Sequence, residues 1–160
     1  MQIVTADTTE RLALARALFV EYAATPDVGV CVQDYADELA GLPGRYAPPS
    51  GTLLLALDDD GRPVACVALR ALEPPQIGEM KRLYVRPEGR GRGIGEALVR
   101  ELTIRARAAG YAAVRLDTLP SMQAAQALYR RLGFRVIPPY LKNPIPGASH
   151  YELTLTDDTP

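Results

Sequence analysis

The stretch VRPEGRGRGIGEALV, Val85 to Val99, sets four glycines and three arginines in a turn and then runs directly into a helical pattern. Glycine gives up more backbone freedom on folding than any other residue, so four of them at one strand-to-helix junction weaken it. The compensation lies in what bare backbone can bind. A helix start leaves about four N–H groups unpaired and carries roughly half a positive charge. Glycines ahead of it let those groups curl around an anion, and Arg90 and Arg92 can add charge-assisted bonds suited to phosphate. The stretch therefore reads as a phosphate cradle. A tight turn carrying a solvated arginine cluster is the other reading of the glycines alone.

The cradle is not one of the common nucleotide loops. The pattern G-x-x-x-x-G-K-[ST] is absent. G-x-G-x-x-G fails because Glu96 stands where the third glycine after Gly91 and Gly93 would fall. What is present is Arg90-x-x-Gly93-x-Gly95.

The flanking periodicities place this junction in a larger order. Upstream, MQIV reads as a strand, and Leu12, Ala15, Leu18, Phe19 and Tyr22 mark one face of a helix from Thr9 to Tyr22, capped by Asp7 or Thr8. A second helical segment spans Val32 to Ala40, and GLPGRYAPPSG is a loop. TLLLALD and PVACVALR are strands joined by the turn DDGR, and IGEMKRLYV is a third strand leading into the quoted turn. The helix from Gly93 to Ala109 buries Ile94, Leu98, Leu102, Ala106 and Ala109, with Glu96–Arg100 and Glu101–Arg105 pairs outside. AAVRLDT is a strand. PSMQAAQALYRRLGF is a helix starting at Pro120 or Ser121 and stopped by Gly133, with Phe134 folding back. VIPPYLKNPIPG is a Pro-rich connection, and HYELTLT is the closing strand. Helices packed on a mixed sheet, an α/β (α+β) fold, are the expected result, as one domain over residues 1–160.

Composition narrows the function. A length of 160 residues suffices for a real core, and a net charge of −1 argues against nucleic acid or a membrane surface as partner. MQIVTADTTER shows no secretory pattern, and the longest apolar run, LLLAL at 53 to 57, is too short to span a bilayer. Cys31 and Cys66 are the only cysteines and make neither a metal site nor a disulfide framework; buried thiols in a reducing cytoplasm are expected. His150 is the only histidine and reads as an ordinary strand position.

Two motifs carry a resemblance. Val85-Arg86-Pro87 followed by Arg90, Gly93 and Gly95 is similar to the signature [RQ]-x-x-G-x-[GA] of the GNAT superfamily of acyl-CoA-dependent N-acetyltransferases. Leu128, Tyr129, Gly133 and Phe134 resemble its second phrase, L-Y-x-x-x-G-F. Together they cover residues 77 to 136 closely and the rest loosely. The resemblance implies a mixed sheet of about six to seven strands with a splayed central pair and about four flanking helices. It implies acetyl-CoA as co-substrate, its pyrophosphate on the amides of Arg90, Gly91, Arg92, Gly93, Ile94, Gly95 and Glu96. The backbone of Leu83, Tyr84 and Val85 would pair with the pantetheine arm. One departure is Met122, which stands where the family usually carries an Asn.

The reaction so implied moves acetyl from a thioester to a primary amine of a small metabolite by direct attack in a ternary complex. The alternatives are a non-catalytic acyl-CoA-binding regulatory module and a protein-lysine acetyltransferase. Tyr129 is the candidate acid for the departing thiolate, with an aromatic on the helix's inner face as the competing reading. Glu79, four residues before Leu83, is the candidate base, with an ion pair to Lys81, Arg70 or Arg82 as the alternative. On an unbroken strand Glu79, Lys81, Leu83 and Val85 share one face, and Met80, Arg82 and Tyr84 the other. Tyr22, Tyr35, Tyr46, Tyr140 and Asn143 are the residues expected near the acceptor. The family often forms dimers, so a homodimer is among the states the resemblance allows.

Overall fold

The computed structural model describes residues 1–26, 28 and 35–155. Its elements, in chain order, are β1 (Gln2–Thr5), α1 (Thr9–Ala24), α2 (Tyr35–Ala40), β2 (Thr52–Leu57), β3 (Pro63–Ala71), β4 (Ile77–Val85), α3 (Ile94–Ala108), β5 (Ala113–Thr118), α4 (Gln123–Arg131), β6 (Arg135–Ile137) and β7 (Ser149–Thr154). The seven strands form one sheet in the order β1-β2-β3-β4-β5-β7-β6. Every neighbouring pair is antiparallel except β4–β5, which is parallel. The expected mixed sheet with four helices is what forms.

Strand alternation sorts side chains onto two cores. On one face Leu54, Val67, Leu69 and Met80 meet Leu98, Leu102 and Ala106 of α3 and Tyr129 of α4. On the other, Leu53, Leu55, Cys66 and Ala68 meet Ala15, Leu18 and Phe19 of α1. Thr8 caps α1, its hydroxyl accepting from the Arg11 amide at 3.1 Å. At Gly133, φ is +96°, and the Phe134 amide donates to the Tyr129 carbonyl at 3.0 Å, so Phe134 does fold back onto α4.

Several boundaries differ from expectation. α1 continues two residues beyond Tyr22 to Ala24. α2 begins at Tyr35; the expected start at Val32, like Cys31, lies outside the described residues. Ala109 is exposed at the C-cap of α3, while Val99 and Thr103 join the buried stripe. α4 starts at Gln123 with Met122 as its N-cap, two to three residues later than expected, because Pro120 and Ser121 sit in the turn between the Leu119 carbonyl and the Met122 amide (3.0 Å). The Pro-rich connection gives up its first residues to β6, which pairs with β7 through Val136↔Tyr151. β7 spans Ser149–Thr154; the expected end at Thr156 lies outside the described residues.

The largest difference is in β4. Cys66 pairs with Tyr84 but Ala68 pairs with Lys81, so Val67 faces two residues, Arg82 and Leu83. This bulge puts Arg82 at φ +62°, a left-handed conformation that L side chains avoid. It also reverses the alternation. Leu83 and Val85 lie on the α3/α4 face and Tyr84 on the α1 face, whereas Glu79 pairs beside Arg70 and Lys81 beside Ala68 on the α1 side. Glu79 and Lys81 therefore do not share a face with Leu83 and Val85. The bulge falls just past the point where β4 leaves β5: the parallel pairing covers Ile77↔Ala113, Gly78↔Val114 and Glu79↔Arg115, then stops. From Met80 onward the two strands splay.

Candidate functional site

The quoted turn closes in two steps. Pro87–Gly89 form a 3-10 turn, with the Gly89 amide bonded to the Arg86 carbonyl at 2.8 Å. Gly91 at φ +75° and Gly93 at φ +76° then swing the backbone through left-handed conformations, and Gly93 is the N-cap of α3 without any side-chain cap. Among the described residues, none of the amides from Gly91 to Glu96 donates a hydrogen bond to the protein. A run of unpaired amides at the positive end of a 15-residue helix lies where the sequence reading puts the phosphate cradle.

The arginines divide their labour. Arg86 is structural: its Nε donates to Glu21 at 3.0 Å and its Nη1 to the Pro63 carbonyl at 2.7 Å, tying the turn to α1. Arg90 borders the cleft, its Nε donating to the Val85 carbonyl at 2.9 Å. Arg92 is exposed and is not among the cleft residues; its charge acts on Asp59 in the β2–β3 turn. The cation absent from the sequence reading is Arg131, which lines the cleft from the end of α4 and bonds Glu96 at 3.0 Å. Hydrogen bonds from Arg100 and Arg131 hold the exposed Glu96 carboxyl below the usual carboxylate range.

From this turn a cleft of about 530 Å³ follows Leu83, Tyr84 and Val85 between the end of α1 (Tyr22, Thr25) and the start of α4 (Met122 to Ala125). A side cavity of about 60 Å³ shares Tyr22, Leu83, Met122 and Ala125 with it and enters the splay, reaching Lys81, Asp117, Thr118 and Tyr129. Met122 receives the Thr118 hydroxyl on its sulfur at 3.6 Å, an apolar thioether where an amide would offer donors.

Tyr129 is 5 % exposed, packed against Phe134 (ring centroids 5.6 Å) and Tyr151 (6.1 Å), with an edge on the side cavity. Burial, then the fields of Tyr22 and Asp117, push its phenol well above the ordinary value, so it stays protonated. Glu79 is fully buried at the last rung of the β4–β5 ladder. Its Oε1 accepts from Arg70 (Nε 2.9 Å, Nη2 2.8 Å) and its Oε2 from the Tyr140 hydroxyl at 2.7 Å. Of the three cations weighed for it, Arg70 takes the role; Lys81 pairs with Asp117 and Arg82 with Glu38. Glu79 lines neither cavity.

The tyrosines expected near the acceptor scatter. Tyr22 lines both cavities. Tyr35 bonds the Phe19 carbonyl, Tyr46 bonds Glu38 at 2.9 Å, and Asn143 is exposed. Tyr140 stands over the polar side of the sheet, edge-on to His150 at 5.2 Å and 5.6 Å from the Arg115 guanidinium. His150 is a strand residue of β7, as expected; it is 2 % exposed, and its Nε2 is buried without a partner among the described residues.

A mixed sheet splayed beside a glycine-turned helix start defines an acyl-group transferase, and comparison with known proteins agrees. The chain belongs to the acetyltransferase (GNAT) family, whose model matches residues 15–134. It is 38% identical over 141 residues to an uncharacterized N-acetyltransferase of Schizosaccharomyces pombe, covering 88% of this chain and 86% of that one. The fold matches a GNAT-family acetyltransferase of Staphylococcus aureus with a TM-score of 0.81 at 18% identity, over 97% of this chain and 99% of that one. A protein of Salmonella typhimurium solved with its cofactor acetyl-CoA gives a TM-score of 0.75 at 20% identity, over 98% and 95% of the two chains. Among the described residues no helix is long and apolar enough to cross a membrane.

Proposed function

We propose that the protein acetylates the primary amine of a small metabolite with acetyl-CoA, by direct attack in a ternary complex, in the cytoplasm. The observation that carries this reading is the run of unpaired amides from Gly91 to Glu96 opening onto a cleft that leads into the splay. A cleft of about 530 Å³ is within the range of small-molecule sites.

Acetyl-CoA supplies the acetyl thioester. The Gly91–Glu96 amides, Arg90 and Arg131 would hold its diphosphate. The backbone of Leu83 to Val85, which has no strand on its β5 side, would take the pantetheine arm. Tyr129, kept neutral by burial, donates its hydroxyl proton toward the departing thiolate. Glu79, buried between Arg70 and Tyr140 and lining neither cavity, would act as base through water. Most of the rate gain comes from orientation, worth up to about 7–11 kcal/mol when both reactants are well placed.

The test is calorimetric titration of CoA into the protein, followed by a screen of amines with acetyl-CoA, reading the free thiol released. Saturable CoA binding with amine-dependent thiol release is the expected result. CoA binding without release for any amine would favour a regulatory acyl-CoA-binding module, and release only with lysine peptides would favour a protein acetyltransferase.

A further inference from the structure

The β4–β5 register, continued two steps past the last pair, would set Met80 opposite Leu116 and then Lys81 opposite Asp117. The strands have splayed by then, and only the long lysine side chain spans the opening. Its Nζ reaches Asp117 Oδ1 at 3.4 Å, a long contact for charges so well hidden, with side chains 16% and 13% exposed. Both line the 60 Å³ cavity, and so does Tyr129 from the opposite side of the sheet. The other cations nearby are already committed at shorter range: Arg82 to Glu38 (2.9 Å), Arg70 to Glu79 (2.8 Å) and Arg115 to Glu152 (2.7 Å).

We propose that the acceptor is an α-amino acid, its ammonium taken by Asp117 and its carboxylate by Lys81 as this pair opens around it. The inference rests on the acetyltransferase reading and names its substrate class. A ligand with one charge would engage one member of the pair and strand the other in a poorly hydrated pocket, where an unpaired charge is costly. An α-amino acid carries both charges on one carbon and replaces the ion pair member for member. His150 stands directly opposite Asp117 in the β5–β7 ladder but lines neither cavity, so the partner for the ammonium in the side cavity is Asp117. Asp117 then holds the nitrogen at the cavity that Tyr129 lines, where the amine must arrive to attack.

The experiment uses the full chain. CoA is titrated first, which tests the acetyltransferase reading by itself. The common L-amino acids and their decarboxylated amines are then titrated into CoA-saturated protein, and the same compounds are assayed with acetyl-CoA. At least one amino acid should bind about tenfold or more tightly than its own decarboxylated amine and be acetylated in preference to it. Lys81→Met should erase that margin and Lys81→Arg should keep most of it, with CoA affinity retained in both as the sign of an intact fold. If CoA binds but no amino acid outperforms its amine, or if the margin survives Lys81→Met, the proposal is overturned while the acetyltransferase reading stands. If CoA does not bind at all, both fall.

Discussion

Tyr129 enters any assay carrying its proton, because burial holds a phenol that normally ionises near pH 10 above that value. The amine must lose a proton to attack, so log(kcat/KM) should climb with pH and show no fall from loss of the tyrosine proton below about pH 10. Replacing Tyr129 by Phe keeps the ring packed on Phe134 and Tyr151 and removes only the hydroxyl. Turnover should drop about 100-fold, the lower end for loss of a positioned acid, with CoA affinity unchanged by calorimetry. Gly93→Asp tests the other end of the cleft. A Cβ at Gly93 meets nothing within 4 Å, so the cost to the fold is that of φ +76°, about 1–2 kcal/mol and least for Asp or Asn. A carboxylate among unpaired amides competes with and repels phosphate, so CoA affinity should fall at least about 100-fold, roughly 2.7 kcal/mol. Unchanged affinity would remove the cradle from the account.

One scale up, the bulge in β4 decides where the splay opens, and α2 holds the bulge. Arg82 at φ +62° is restrained by a two-pronged bond to Glu38 (Nε 2.9 Å, Nη2 3.0 Å), and Tyr46 donates to the same carboxylate. The Arg82 guanidinium also lies 5.2 Å from the Tyr35 ring centre. Glu38→Ala leaves a largely buried guanidinium unpaired and frees a strained residue. We expect a loss of about 2–3 kcal/mol, somewhat below the figure for fully buried pairs, and a melting point lower by roughly 5–10 °C. Turnover should fall further than stability explains, since the strand edge at Leu83 to Val85 loses its direction. The bulge also marks how far sequence reading reached. The glycine turn and the open helix start were legible because glycine spacing and a helix start are local facts. The face of Glu79 and Lys81 relative to Leu83 was misread because alternation assumes an unbroken strand, and nothing in IGEMKRLYV announces the extra residue. The partner of Glu79 stayed open among three cations for the same reason: the choice depends on register across β3, a long-range property. Arg131 and the Lys81–Asp117 pair escaped notice because α4 and β5 meet the cleft only once the chain has folded.

At the scale of the whole molecule, the sheet divides two apolar cores, and folding carries several ionisable groups into them in their neutral forms. Cys66, Tyr46 and Tyr129 are the most deeply buried, and burial raises all three above their ordinary values. Tyr35 and Tyr140 are raised from the same cause but keep more contact with solvent, so they contribute less. The sign follows from proton counting. Above about pH 8.5 the unfolded thiol ionises, and above about pH 10 the unfolded phenols follow, while the native state keeps those protons. The unfolded state then binds fewer protons, and stability must fall as pH rises. It is fully present below about pH 8 and declines by up to about 1.4 kcal/mol per pH unit once the thiol has titrated. Above about pH 10.5, with three groups in play, the decline steepens to roughly 4 kcal/mol per unit. Against a total stability of about 5–15 kcal/mol, that slope unfolds the protein within one to three units. Denaturant melts between pH 7 and pH 11.5, followed by circular dichroism, should therefore give a level midpoint to about pH 8, a gentle fall, and then a collapse beyond pH 10. Phenolate absorbance from the buried tyrosines should appear only as the ellipticity is lost. If that absorbance instead develops while the fold is intact, solvent reaches Tyr46 and Tyr129 in the native state, and the neutral acid assigned to the splay is lost with it.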